Sequence, residues 1–331
     1  MEITKFEILR FRHLTRLAVE TFGGSELAKD AYLIGEETLL DGKKYPYVVS
    51  AIIHGNEVGG LASLNEFLEV LLSGILKPGC PVVVFLGNVD ASLRDVRFIE
   101  RDMNRSFNME EFATHEARRA KELDEVMLGA RYYLDIHQTK MHSSTGFFIF
   151  PFKKESFEFA RELMPRTPIV THWGTPFSSE GMCSDEYVNS LGGTGITLEL
   201  GQNGYDPYHV ALGFRGIIAG YSFVWEKIFG EPMRGVKESR LTSPGEIYTW
   251  ANVVPYPESG RVLLDQGWDN FKTISKGQRM GMIDSSILEA PCDGYMIFPN
   301  YTIVGSSDTI RPKELYRVMQ RITEDHLPSQ T

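Results

Sequence analysis

Between residue 31 and about residue 229, short apolar runs alternate with longer segments whose apolar residues recur at helical spacing. Such alternation belongs to a sheet with helices packed on it, and it confines this part of the chain to an α/β fold. Residues 47–53 and 132–136 read as strands, and 81–86 (Pro-Val-Val-Val-Phe-Leu) as a strand buried on both faces. Residues 57–72 read as a helix, with Leu61, Leu64, Leu68 and Leu71 on one stripe. Further helices are expected over 115–128, 154–164 and 208–229, and further strands over 146–150 and 195–200. The stretch 174–189 reads as a loop able to cover a site. After Gly230-Glu231-Pro232 the texture changes to short apolar stretches separated by Gly, Pro, Asp and Asn. That change predicts a small all-β domain, sandwich- or barrel-like, over 230–331, following an α/β domain over 1–229. Residues 313–325 fit a last strand or a terminal helix equally.

The chain has 331 residues, enough for a full core and two domains. A net charge of -10 repels phosphate backbones and anionic lipid, so neither nucleic acid nor a membrane surface is an expected partner. Any anionic substrate must then find local arginines. No apolar run approaches the ~20 residues of a membrane span, and the first seventeen residues lack a signal-peptide layout. Cys80, Cys183 and Cys292 are an odd, widely spaced set without a Cys-x-x-Cys pair, which fits free thiols in a reducing compartment. The expected location is the cytoplasm.

Two motifs follow apolar runs. His54-Gly55-Asn56-Glu57 lies where a strand turns into a helix, so a side chain from the turn and one from the first helical residue can converge on one ion. Alternatively, Glu57 merely favours the helix N-terminus. Asp135-Ile136-His137 places a carboxylate and an imidazole on one face of a strand. A carboxylate there orients a ligand histidine more readily than it binds metal itself, and a solvated strand end is the plain alternative. Two nitrogen ligands and one oxygen ligand hold zinc with a coordination position open, the catalytic arrangement. The run from Arg97 to Arg105 is dense in guanidinium groups, which bond both oxygens of a carboxylate, and Asn104 beside Arg105 can complete a cradle. A solvated charged turn is the alternative. Glu199 closes the apolar Ile196-Thr197-Leu198, and a buried carboxylate must be partnered or catalytic; base and structural acid are both open.

His54-Gly-Asn-Glu57, Arg97 through Asn104-Arg105, Asp135-Ile-His137 and Thr197-Leu-Glu199-Leu-Gly201, in that order, resemble the succinylglutamate desuccinylase/aspartoacylase family, relatives of the zinc carboxypeptidases. The resemblance covers about 45–225, and Ala-Pro-Cys-Asp-Gly at 290–294 is similar to the family's C-terminal β domain. It implies a mixed-sheet, carboxypeptidase-like catalytic domain with one zinc ion per chain on His54, Glu57 and His137. It further implies Glu199 as general base towards water, Arg97 on the scissile carbonyl, Asn104 and Arg105 on a substrate carboxylate, and Asp135 behind a ligand. Tyr301 is the positional match for a tyrosine that reaches the site in relatives, although a core or surface role fits it too. The implied activity is hydrolysis of the acyl-amide bond of a small anionic N-acyl amino acid or related compound. A peptide carboxypeptidase and a non-catalytic binding protein with the same fold are the rivals, and a homo-oligomer is left open. Aspartoacylases carry an arginine ten positions before the base; here that position is Asn189, which implies a substrate other than N-acetylaspartate.

Overall fold

Every residue of the valine-rich strand Val82–Leu86 is buried, as is every residue of its parallel neighbour Tyr45–Ala51. β-Branched and aromatic side chains filling both faces make these strands the centre of a sheet rather than an edge. The computed structural model describes residues 2–76, 79–174, 177–178, 180–233, 243–301 and 312–329. Within them a 12-stranded mixed sheet runs Gly24–Ala28, Ala31–Ile34, Val82–Leu86, Tyr45–Ala51, Ala130–Thr139, Thr194–Gln202, Phe147–Pro151, Ile169–His172, Ile247–Pro255, Glu314–Ile322, Gly294–Ile297, Thr273–Ile274. One face is covered by helices Glu2–Phe22, Gly59–Leu72, Lys154–Leu163 and Pro207–Phe229, whose apolar residues join one core cluster. The other face packs on His115–Glu122, Asp124–Gly129 and Ser184–Ser190.

The expected α/β pattern and the C-terminal β texture are both present. Residues 313–325 resolve as the strand Glu314–Ile322 followed by a short 3-10 turn. A three-stranded sheet, Val262–Leu264, Arg279–Ile283 and Ser286–Glu289, has its own core around Trp268, Met280 and Tyr316. The remaining C-terminal strands extend the main sheet through Ile247–Pro255, which pairs in parallel with Ile169–His172. Among the described residues, no helix is long and apolar enough to cross a membrane.

Two local expectations change, and one helix was not expected. The N-terminal residues form the long helix Glu2–Phe22, which no clean stripe announced: Ile8, Phe11 and Leu14 are buried, but Ile3, Phe6 and Leu9 face outwards. The helix expected from 57 begins at Gly59, leaving Glu57 in the turn before it. The segment 174–189, expected as a loop, contains the start of helix Ser184–Ser190, in which Cys183 N donates to Glu186 Oε2 at 3.0 Å.

The strand order sets up the site. Tyr45–Ala51, Ala130–Thr139 and Thr194–Gln202 are parallel neighbours, in register at Ser50, Asp135 and Thr197, and again at His137 and Glu199. Their carboxyl ends therefore deliver side chains to one place, where open α/β sheets bind ligands. Past Ala51 the chain breaks sharply: the buried Ile52 has φ 52°, a conformation that costs a β-branched residue on the order of 1–3 kcal/mol. Hydrogen bonds from Gly87 N to Ala51 O (3.0 Å) and Asn88 N to Ile52 O (2.8 Å) hold that turn, which swings His54 over the strand ends.

Candidate metal centre

Gly55 is needed for close approach rather than for unusual torsions. A Cβ there would lie 2.4 Å from Ser92 N and 2.5 Å from the Ala91 carbonyl carbon, so the turn presses against the helix Val89–Leu93. This contact fixes His54 and Glu57 on either side. His54 Nδ1 lies 2.9 Å from Glu57 Oε1, and His137 Nδ1 lies 2.9 Å from Glu57 Oε2. The two Nδ1 atoms are 3.1 Å apart, and all three residues are buried.

The far nitrogens explain what this cluster needs. His137 Nε2 meets Asp135 Oδ2 at 2.8 Å, and His54 Nε2 meets Asp102 Oδ1 at 2.9 Å. A carboxylate faces every one of the four ring nitrogens; in the tautomers that donate from Nε2 to Asp135 and Asp102, each Nδ1 keeps a lone pair for an ion. Arg97 Nη2 also comes within 2.8 Å of His54 Nε2, but it has carboxylate partners of its own: Arg97 reaches Glu57 Oε1 at 2.8 Å and Asp102 Oδ2 at 3.4 Å. In those tautomers two lone pairs and one carboxylate face each other in a buried cluster. Such a set can hold a cation, and two nitrogens with one oxygen suit a divalent metal with a position left open. Without an ion, the surrounding carboxylates favour the charged form of His137, the positive charge that a bound metal would supply instead. Burial pushes the His137 imidazolium down, yet Asp135 and Glu57 outweigh it and hold its pKa well above the ordinary histidine value. Burial likewise raises Glu57, but His54 and His137 hold it well below the usual carboxylate range.

Glu199 stands beside this cluster, in register with His137 on the next strand. Its Oε2 is buried and has no hydrogen-bond partner among the described residues. Burial, then the nearby Glu57 charge, pushes its pKa up to about 8. A carboxylate so placed accepts a proton readily.

The Arg97–Arg105 segment curls around a buried acid that sequence reasoning passed over. Glu116 accepts from the amides of Ile99 (2.6 Å), Glu100 (3.2 Å) and Arg101 (3.1 Å), and from Asn88 Nδ2 (3.0 Å). Asp102, equally unmarked, sits between His54, Arg97 and the Asn104 amide. The only signal for it was position: an acid inside a run read for its donors. Asn104 Oδ1 accepts from Ser184 N at 2.9 Å, which leaves its Nδ2 as the donor for a ligand. Arg105 is anchored through Nη1 to Asn104 O (2.5 Å) and Cys183 Sγ (3.1 Å), and its guanidinium lies 5.0 Å from the Phe177 ring centre.

One expected site residue and one positional count need correction. Tyr301 is not brought to the cluster: its hydroxyl donates to the carbonyls of Asp265 (3.2 Å) and Trp268 (3.1 Å) and accepts from Trp268 N (2.6 Å), bracing the C-terminal core. Asn189 does not sit at a substrate position either. It accepts from Gly195 N (2.9 Å) and donates to Gly195 O (3.1 Å), at the opposite end of the strand from Glu199. Counting residues back from Glu199 therefore does not reach the cradle.

Asp185 carries a separate consequence. It is buried, and burial, then Glu186 and Asp135, pushes its carboxyl up to about 8. The folded state thus holds a proton that the unfolded chain releases near pH ~4. Stability from this group is full below that pH and is lost as pH rises towards about 8, where it levels off. Urea midpoints measured from pH 5 to 9 should decline less steeply in Asp185→Asn than in the parent; equal slopes would contradict this.

The fold and the cluster together define a carboxypeptidase-like α/β protein with a buried two-histidine, one-carboxylate centre. Residues 45–209 match the succinylglutamate desuccinylase/aspartoacylase catalytic domain. The chain belongs, through this domain, to the succinylglutamate desuccinylase/aspartoacylase family. It is 47% identical over 79 residues to a succinylglutamate desuccinylase of Pseudomonas paraeruginosa, covering 23% of this chain and 24% of that one. To the enzyme of that name from Pseudomonas fluorescens it is 30% identical over 166 residues, 47% of this chain and 49% of the other. The chain thus spans about a quarter to a half of the length of the curated relatives it matches. Its fold is similar to that of succinylglutamate desuccinylase from Vibrio parahaemolyticus, with a TM-score of 0.68 and 18% identity over 89% of this chain and 86% of the other.

Proposed function

We propose that this protein is a zinc-dependent amidohydrolase that removes the acyl group from a small N-acylated amino acid or related compound. One observation carries the reading: Glu199 Oε2, without a partner among the described residues, stands beside His137, next to a ligand set that can hold a cation. His54, Glu57 and His137 would hold the ion. Bound there, zinc supplies Lewis acidity and makes water a competent nucleophile near neutral pH. Glu199 accepts the proton of the attacking water and delivers it to the leaving amine nitrogen. Arg97, fixed between Glu57 and Asp102, donates to the carbonyl oxygen as it gains negative charge. Asn104 Nδ2 and the open edge of Arg105 bind a substrate carboxylate, and Asp135 keeps the His137 ring in its tautomer.

The names of the relatives support an acyl-amide substrate, and the arginine-bearing cradle supports an anionic one. The test is the release of free amine from N-acetyl and N-succinyl amino acids by zinc-loaded protein, run against release of C-terminal residues from peptides. Turnover of N-acyl amino acids is expected. Cleavage of peptides alone, or of nothing in the panel, would overturn the reading. We further place the protein in the cytoplasm, since Cys80, Cys183 and Cys292 are all unpaired, and we propose a domain boundary at residues 229/230, where limited proteolysis should cut first.

A further inference from the structure

We propose that Ser184 is a positioning residue that couples the substrate cradle to the metal centre. The inference rests on the metal site proposed above. Asp135, completely buried, supports His137 from behind, and its two oxygens take three donors. Oδ1 accepts from Ser50 Oγ at 2.6 Å; Oδ2 accepts from His137 Nε2 at 2.8 Å and from Ser184 Oγ. Ser184 therefore helps to set the angle at which Asp135 holds the ligand ring.

The same residue reaches the other half of the site. Ser184 begins the helix Ser184–Ser190, so its amide has no intrahelical acceptor. That amide donates to Asn104 Oδ1 at 2.9 Å, which turns Asn104 Nδ2 towards the cradle. Cys183, immediately before it, presents Sγ to Arg105 Nη1 at 3.1 Å. A path of hydrogen bonds thus runs from Asn104 through Ser184 and Asp135 to His137, joining groups 80 and 49 residues apart. All of its members are buried, so each bond is short of competing water and a displacement at one end is passed on. Ser50 is the natural comparison: it donates to the same carboxylate and accepts from the Tyr133 hydroxyl at 2.6 Å, whereas the direct bond to Asn104 comes from Ser184. Coupling between two sites is reciprocal, so Asn104, whose side chain is bonded to Ser184 and not to His54, Glu57 or His137, should still influence metal affinity.

The experiment measures Zn2+ affinity by chelator competition, and the visible spectrum of the Co2+-loaded protein, in the parent, Ser184→Ala, Ser50→Ala, Asn104→Ala and the Ser184→Ala/Asn104→Ala double variant. Ser184→Ala and Ser50→Ala should each weaken Zn2+ by about 10–100-fold, the usual effect of losing an outer partner of a ligand. Asn104→Ala should weaken it by a smaller factor and shift the Co2+ band. The double variant should be no weaker than Ser184→Ala alone, because both changes cut one path. A merely structural serine would lower the thermal midpoint of the metal-free protein while leaving Zn2+ affinity and the Co2+ spectrum as in the parent. That result, or factors that multiply in the double variant, overturns the coupling. If Ser184→Ala does not fold, Asn104→Ala decides alone: unchanged Zn2+ affinity overturns the proposal. A parent protein that binds neither ion removes the metal centre itself, an outcome distinct from an intact centre without coupling.

Discussion

Glu199→Gln is expected to lower kcat by about 10²–10⁴-fold, the range of a lost general base, while leaving the fold and the metal in place. Gln preserves the shape of the side chain, so the strand pairing with His137 and Phe147 should survive. What it removes is the proton acceptor: the buried Oε2 that no donor among the described residues satisfies. With its pKa raised to about 8 the group is largely uncharged near neutral pH, so Gln replaces one neutral side chain by another and thermal stability should hold. Stopped assays of amine release, with zinc content measured on the same samples, check this. Full activity in the variant would remove Glu199 from the reaction, whatever the metal does.

Arg97→Ala should cost about 10²–10³-fold in kcat/KM, as the loss of one donor to a developing oxyanion typically does. A carboxylate-binding arginine would chiefly raise KM, whereas an arginine on the carbonyl oxygen acts in the transition state and lowers kcat. The structure separates the two roles: Arg97 is fixed against Glu57 and Asp102 beside the cluster, while Arg105 leans on Phe177 and Cys183. Arg105→Ala should therefore show the opposite split. A rise in KM with unchanged kcat in Arg97→Ala would move it to the cradle. Steady-state kinetics on both variants with the best N-acyl substrate read the difference.

The parts of this molecule written in local pattern were legible. Val82–Leu86 is apolar on every residue because both its faces are covered, and Leu61, Leu64, Leu68 and Leu71 share a helical stripe because one face of Gly59–Leu72 meets the sheet. The convergence of His54, Glu57 and His137 was legible for a related reason, since side chains delivered by strand ends follow apolar runs. Other contributors leave no such trace. Ser184 lies in a seven-residue polar helix, too short to show periodicity, and its importance comes from partners at 104 and 135. Glu116 sits on a helix that reads as charged surface, yet its carboxylate is buried against three consecutive loop amides. Asp102 is one acid in an arginine-rich run, and only the fold aims it at His54. Tyr301 and Asn189 failed in the reverse direction: positional counting carried them to the site, whereas tertiary hydrogen bonds hold them elsewhere.

Elemental analysis of dialysed, zinc-loaded protein bears most directly on whether two imidazoles and Glu57 grip one ion. The parent should retain about one zinc per chain, as a three-ligand site with an open position does, and His137→Ala, which deletes one of only three ligands, close to none. A parent that retains no zinc, or a His137→Ala variant that retains as much as the parent, would contradict the account at its root.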